Sequence, residues 1–478
     1  MSTDDQHTLR ANVLGAADTA MMAVAGSAPA YSIAASTATL VAVAGLASPA
    51  ALLYCGVPML GIAWAFSHLG RKDVNAGASY AWVGKALHPA LGFLSGWALI
   101  VSATIFMVAG SLPAGSLTLA LVRPSLATNT ALVTLVGGVW FAVMVTVVLL
   151  GAHITARAQW VMSGIEVTIL TVFVVIGFVR APQIAVHSFS LSWLGFGHFN
   201  GFSGFAASAL IAAFYYWGWD VAANLNEETR SARRSAGLGG IVGVLIVFAL
   251  FLGFTLLVNL LLTSADVSGS SGNLLFVLGQ SIWPGVGGKV LSLAAMLSTV
   301  ATLETTLIQV TRTMFAMGRD RTLAGAFGRT HRRWRTPWLA TVVVAVVSLL
   351  LFVLSNLLGS VGTIMTDAIS AIGLQIAFYY GLAGIAVVIS YRKEILSSVR
   401  NAIFIGLWPL VGAVFLFWVL GESIRSNTAA VNGIGLGALA IGIIPLTIAW
   451  RRRSPYFRRS RTTEELPPTE PALAVDGG

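Results

Sequence analysis

Apolar runs as long as the roughly 20 residues a helix needs to cross a bilayer recur along the whole of this 478-residue chain. No other feature constrains the fold as strongly. Only 10% of the residues are charged and 56% are hydrophobic, against about 25% charged in soluble domains. No water-soluble fold hides that much apolar surface, so the chain reads as an all-α integral membrane protein. Strand-like alternation with a period of two is absent, which excludes an outer-membrane barrel. The runs predict 12 transmembrane helices, at 16–44, 49–69, 90–121, 130–151, 160–180, 203–225, 237–262, 288–317, 338–357, 361–390, 403–421 and 432–450.

The formal net charge of +10 sits in short loops and a tail, a pattern that membrane topology explains better than nucleic-acid binding. With the N-terminus inside, the inner loops hold Arg71, Lys72, Lys85, Arg157, Arg230, Arg233, Arg234, the Arg319–Arg335 cluster, Arg392, Lys393, Arg400 and Arg451–Arg453. The outer loops keep only Arg123, Arg180, Lys289 and Arg425. This asymmetry follows the positive-inside rule and places both termini in the cytoplasm of a multi-pass plasma-membrane protein. Met1–Arg10 lacks the apolar run of a signal peptide, so the first span is expected to be retained. The single cysteine, Cys55, forms no intramolecular disulfide. Beyond Tyr456 the Pro- and Glu-containing run reads as disordered.

Two spans are interrupted. Gly26-Ser27-Ala28-Pro29 lies within the first, and Gly218, between Trp217 and Trp219, within the sixth. Every backbone N–H and C=O at membrane depth needs a partner. Proline has no N–H to give, and its ring clashes with the carbonyl four residues back. Membrane helices are rich in Gly and Pro in any case. The breaks, however, fall in the first members of two five-span halves, and paired interruptions of this kind point to a binding site in a repeat-built transporter. Half-helix N-termini present free N–H groups suited to an anionic carboxylate.

Four stretches carry a resemblance. Gly26-Ser27-Ala28 is similar to the span 1 break of the amino acid–polyamine–organocation superfamily. Gly77-Ala78-Ser79-Tyr80, Leu87-His88-Pro89 and Gly92-Phe93-Leu94-Ser95-Gly96-Trp97 resemble its signature between spans 2 and 3. Gly218-Trp219-Asp220 with Glu227-Glu228-Thr229 resembles its span 6 signature, and Arg312 with Met317-Gly318-Arg319-Asp320 the end of span 8. Ala28 departs from the family's second glycine, and Arg321 stands where relatives carry Gly.

The resemblance implies a five-plus-five inverted repeat (a LeuT-like fold) with discontinuous helices 1 and 6. It implies a short cytoplasmic segment at 1–15, a transporter core at 16–390, spans 11 and 12 within 391–453, and a disordered cytoplasmic tail at 454–478. A substrate carboxylate would meet the backbone of Gly26, Ser27 and Ala28, and its amine the carbonyls near Phe214, Trp217 and Gly218, with Trp219 and Asp220 alongside. Phe214 would be an aromatic gate; the plainer reading is an ordinary packed ring.

Asp18, Glu166, Asp220, Glu304 and Asp367 fall inside expected spans, and no span interior offers a clear lysine or arginine to pair with them. An ionised Asp at a helix centre costs roughly 2.5–3.5 kcal/mol on insertion scales. Some of these acids are therefore expected to hold a proton, others a cation. By resemblance, Glu166 falls where some proton-coupled relatives carry a span 5 lysine in place of a sodium ion. It would cycle a proton, hold Na⁺ with span 8 hydroxyls supplied by Thr302, Thr305 and Thr306 near Glu304, or simply hydrogen-bond a neighbouring helix. Asp220 reads either as an N-cap or as a partner of the substrate amine. Glu227 and Glu228 are expected to form an inner-gate ion pair beside Arg230 and Arg233.

Gly285-Val286-Gly287-Gly288-Lys289-Val290 lacks the Ser or Thr of a phosphate-binding loop, and no His-Glu-x-x-His or cysteine cluster suggests a resident metal. An enzyme reading has no support. The expectation is a secondary active transporter of amino acids, needing no cofactor and coupled to H⁺ or Na⁺. Its partners would be a small-molecule substrate and membrane lipids, with no nucleic acid, and nothing in the sequence sets an oligomeric state. A polyamine permease is the alternative cargo reading. A channel or non-transporting sensor is the alternative from another class, against which stands the lack of a repeated selectivity loop.

Overall fold

A computed structural model describes residues 8–270, 274–355 and 361–458. Among these residues the regular structure is helical, apart from one isolated bridge between Leu14 and Thr229. The α-helices are α1 (Ala16–Ser27), α2 (Pro29–Ala44), α3 (Ser48–Lys72), α4 (Ser79–Ala86), α5 (Pro89–Val122), α6 (Thr130–Leu150) and α7 (Ala152–Ile184). They continue as α8 (Gly201–Tyr215), α9 (Val221–Asn224), α10 (Ala232–Leu261), α11 (Ser264–Gly269), α12 (Leu274–Ile282) and α13 (Gly287–Arg319). The last are α14 (Trp338–Ser355), α15 (Val361–Ser390), α16 (Val399–Asn401), α17 (Trp408–Ser426), α18 (Ala429–Ile441) and α19 (Ile443–Arg451).

Among the described residues, 10 segments are long and apolar enough to cross a membrane. Ala16–Lys72 counts as one of them, although it contains α1, α2 and α3, and Gly201–Tyr215 is a shorter apolar helix. The chain is thus a multi-pass, all-helical membrane protein.

Burial separates the helices into two classes. Nearly every residue of α13 is buried, and it packs on α5 and α7. In contrast, α6, α14 and α18 turn Val, Leu and Ile side chains outward, for example Leu135, Leu350 and Ile434. An outward apolar face is what lipid solvates, so these helices form the rim and α13 the centre. Several limits differ from the sequence reading. The fifth span begins at Ala152 instead of 160, because Gly151, at φ +118°, ends α6 and lets α7 start at once. The sixth is interrupted after Tyr215 and resumes as the short α9 at Val221.

Both ends of the described chain are tied down. The N–H groups of Val13 and Leu14 donate to the carbonyl of Glu228 at 2.9 and 3.1 Å, and that of Arg230 to Leu14 at 2.8 Å. After α19, Ser454 Oγ donates to the carbonyl of Asp320 at 2.7 Å, and Tyr456 is buried. The disordered tail expected from 454 is corrected for Ser454–Arg458, which dock; the rest of it lies outside the described residues. The docking follows from an apolar ring that gains burial and from one hydroxyl that finds a carbonyl.

Candidate functional site: two broken helices that touch

The first break is one residue long. Ala28 takes the left-handed conformation (φ +47°, ψ 61°), and Pro29 opens α2 at once. Its N–H donates to Ala25 at 3.2 Å and closes the end of α1. Pro29 has no donor to lose. The donors left over belong to the first turn of α2. Ala30 N–H donates to Glu166 Oε1 at 2.9 Å, and Tyr31 N–H to Ser298 Oγ at 3.1 Å. Thr302 Oγ1 donates to the carbonyl of Ala25, on the other side of the break, at 2.8 Å. A carboxylate at the start of a helix also meets the positive end of its dipole.

The second break runs from Tyr216 to Asp220. Gly218 has φ +93°, a left-handed value that favours glycine. Two tyrosines of α15 hold it. Tyr380 OH donates to Asp220 Oδ1 at 2.7 Å and accepts from Gly218 N–H at 3.4 Å. Tyr379 OH donates to Asp220 Oδ2 at 3.1 Å and accepts from Trp217 Nε1 at 2.9 Å. The N-cap reading of Asp220 is therefore corrected: it precedes α9, but its side chain makes no capping bond. The two hydroxyls have taken its oxygens.

The breaks meet. A Cβ on Gly26 would collide with the carbonyl of Gly218, and a Cβ on Gly218 with that of Gly26. Beside this contact, Trp217 packs edge-on against Phe106 of α5 (5.4 Å), and Phe106 against Tyr31 of α2 (6.2 Å). Ser27 is buried, its Oγ donating to Ala23 at 3.1 Å. Phe214 is buried as well. Trp219 turns to Phe66 of α3 and Tyr380, with Nε1 donating to the carbonyl of Tyr216 at 2.9 Å.

The coupling candidates divide. Glu166 and Thr302 reach the first break, whereas Thr305 turns back to carbonyls of its own helix, Ala301 and Thr302. Thr306 is buried without reaching Glu166 by any hydrogen bond among the described residues. Glu304 is bound not to Glu166 but to Gln159 Nε2, at 2.5 Å. Among the described residues, Glu166 Oε2 and Glu304 Oε1 are buried with no hydrogen-bond partner.

The gate glutamates require a correction. Glu228 pairs with Arg312 of α13, in a bidentate contact of 2.9 and 3.0 Å that is wholly buried. Glu227 pairs with Arg319 at 2.7 and 3.0 Å and also accepts from Ala76 N–H at 2.8 Å. Neither meets Arg230 or Arg233, because the 3₁₀ turn Asn226–Glu228 aims both carboxylates at α13. Arg230 Nε donates to Asn12 instead. The span interiors thus do hold a cation, Arg312, although none of the five intramembrane acids uses it. Asp18 lies in the first turn of α1, accepting from Gly15 N–H at 2.7 Å and Trp160 Nε1 at 2.8 Å. The sequence reading missed Ser298, Gln159, Tyr379 and Tyr380. The adjacent tyrosines of an apolar run were the one visible signal.

The amino acid permease family matches residues 14–439. The low-affinity putrescine importer PlaP of Escherichia coli is 25% identical over 86% of this chain and 88% of its own length. The branched-chain amino acid permease BcaP of Lactococcus lactis is 22% identical over 75% of this chain and 79% of its own. The serine/threonine exchanger SteT of Bacillus subtilis is 24% identical over 50% of this chain, a match spanning 54% of the exchanger. The chain belongs to the amino acid permease family, a family of transporters and not of enzymes.

Proposed function

We propose that this protein is a secondary active transporter that moves an amino acid across the plasma membrane by alternating access. The carrying observation is the contact of the two breaks at Gly26 and Gly218. A substrate of amino-acid size enters as they part, its carboxylate toward Gly26–Ala28 and its amine toward the carbonyls near Phe214 and Trp217. Phe214 covers it.

Element order supports twelve crossings. The broken pair α1–α2, then α3, α5, α6 and α7, make five; the broken pair α8–α9, then α10, α13, α14 and α15, make five more; α17 and α18–α19 complete the count. Short helices stand after the second crossing of each half, α4 in one and α11 and α12 in the other. That order fits an inverted repeat. The bonds joining Val13 and Leu14 to Glu228 support motion of spans 1 and 6 as one body. The Arg-rich loops support cytoplasmic termini, an orientation in which the Glu227–Arg319 and Glu228–Arg312 pairs close the inner side.

Coupling is assigned to a proton on Glu166. Its carboxyl is buried at the break with Oε2 unpartnered among the described residues, and an unpaired charge at membrane depth is costly. Purified protein in vesicles is expected to accumulate an amino acid uphill under an inward proton gradient. Accumulation with Na⁺ alone moves the coupling to sodium. Downhill flux without counterflow overturns the carrier reading. A polyamine cargo is the second reading, favoured by Asp220, a buried acid at the break with no cationic partner among the described residues. Competition by polyamines without competition by amino acids decides for it.

A further inference from the structure

Tyr456 fits a socket built for it. Its ring stacks on Tyr80 at 4.7 Å and 10°, and its hydroxyl donates to the carbonyl of Tyr80 at 2.9 Å. The hydroxyl occupies the place where a Cβ on Gly84 or on Gly92 would stand, so α4 and α5 both need glycine there. Ser454 Oγ donates to the carbonyl of Asp320, and Tyr80 OH donates to Asp320 Oδ2 at 3.1 Å. The segment thus clasps Tyr80 and Asp320 together.

These two residues lie next to the groups that hold Glu227. Asp320 follows Arg319 directly, and Tyr80 stands four residues after Ala76, across the turn that opens α4. Arg319 and the N–H of Ala76 are the donors to Glu227. Ala76 is held a second time, since Asn224 Nδ2 donates to its carbonyl at 2.8 Å. The clasp therefore braces both jaws of one gate from behind. It joins the chain end to α4, α5 and the turn after α13, whereas Glu227 belongs to the segment that follows the second break.

We infer that Ser454–Tyr456 is an intramolecular latch that holds the Glu227 gate shut, so that transport speeds up when Tyr456 leaves its socket. The inference rests on the transporter reading for its kinetics but not for the gate itself.

The test uses the full-length chain, with Tyr456→Ala and Gly84→Ala as two unrelated ways to empty the socket. Chymotryptic cleavage at Tyr456 reports docking: slow in the wild type, fast in Gly84→Ala. Hydrogen exchange of the peptide spanning Ala76–Tyr80 reports the gate and is expected to quicken in both variants. Counterflow in vesicles is expected to rise about five-fold, the factor that corresponds to losing about one net hydrogen bond. Tyr456→Phe keeps the stack and is expected to fall between. If the socket empties while exchange of Ala76–Tyr80 stays at the wild-type rate, the latch is overturned. A gate that loosens while counterflow stays flat or drops in both variants overturns it too, leaving only an anchor. If the wild type transports nothing, the transporter reading fails, and hydrogen exchange alone still decides whether the segment braces the gate. Should Tyr456→Ala not fold, Gly84→Ala and Tyr456→Phe carry the comparison.

Discussion

Gly26 and Gly218 lie far apart along the chain, yet a Cβ on either would press the other's carbonyl away, because each backs onto the other. Gly218 also needs its positive φ. Gly26→Ala is expected to keep the fold and lose most uptake, since one methyl separates the breaks. Gly218→Ala adds backbone strain of about 1–3 kcal/mol and is expected to lower thermal stability as well. Detergent thermal-shift curves beside vesicle uptake separate the two effects.

Glu166 serves the fold and the proposed coupling through different atoms. Glu166→Gln keeps an oxygen for Ala30 N–H, so counterflow is expected to survive while gradient-driven accumulation is lost. Glu166→Leu leaves that buried donor unmade, at about 1–3 kcal/mol, and is expected to destabilise the protein. Equal accumulation by Glu166→Gln and wild type would remove this residue from coupling.

The two glutamate–arginine pairs proposed as a gate are expected to differ in strength. Breaking the wholly buried Glu228–Arg312 pair with Arg312→Met strands a buried carboxylate, at about 3–5 kcal/mol. The Glu227–Arg319 pair is part-exposed, and Arg319→Met is expected to cost no more than about 1 kcal/mol. Its effect belongs in the rate of inward opening. Unfolding midpoints of both variants check the ranking.

Tyr380 and Tyr379 offer a finer comparison. Tyr380 makes the shorter bond to Asp220 and also receives Gly218 N–H, a backbone group of the break. Tyr380→Phe is therefore expected to raise the substrate KM more than Tyr379→Phe. The same order in thermal stability without any change in KM would make both residues structural.

Arg321 shows how far local reading reaches. The resemblance implied glycine at its position, and the structure gives it φ +57°, a conformation glycine takes most easily. The two breaks were legible in the same local way, at Gly26–Pro29 and Gly218. The acceptors were not. Ser298 looks like any serine of an apolar helix until α13 packs beside α2. Tyr379 and Tyr380 acquire a role only when α15 meets the second break. Glu227 and Glu228 were placed beside the nearest arginines in sequence, and helix packing chose others.

The amino-acid sequence alone determined that this is a helical membrane protein interrupted at two places. Apolar run length and the backbone chemistry of Gly and Pro act within a few residues. The tertiary structure decided what fills those interruptions: Glu166 and Ser298 on one, Tyr379 and Tyr380 on the other, and each break's backbone against its counterpart. A buried polar group takes whichever partner the packed helices bring within hydrogen-bond reach, and that neighbour is distant along the chain.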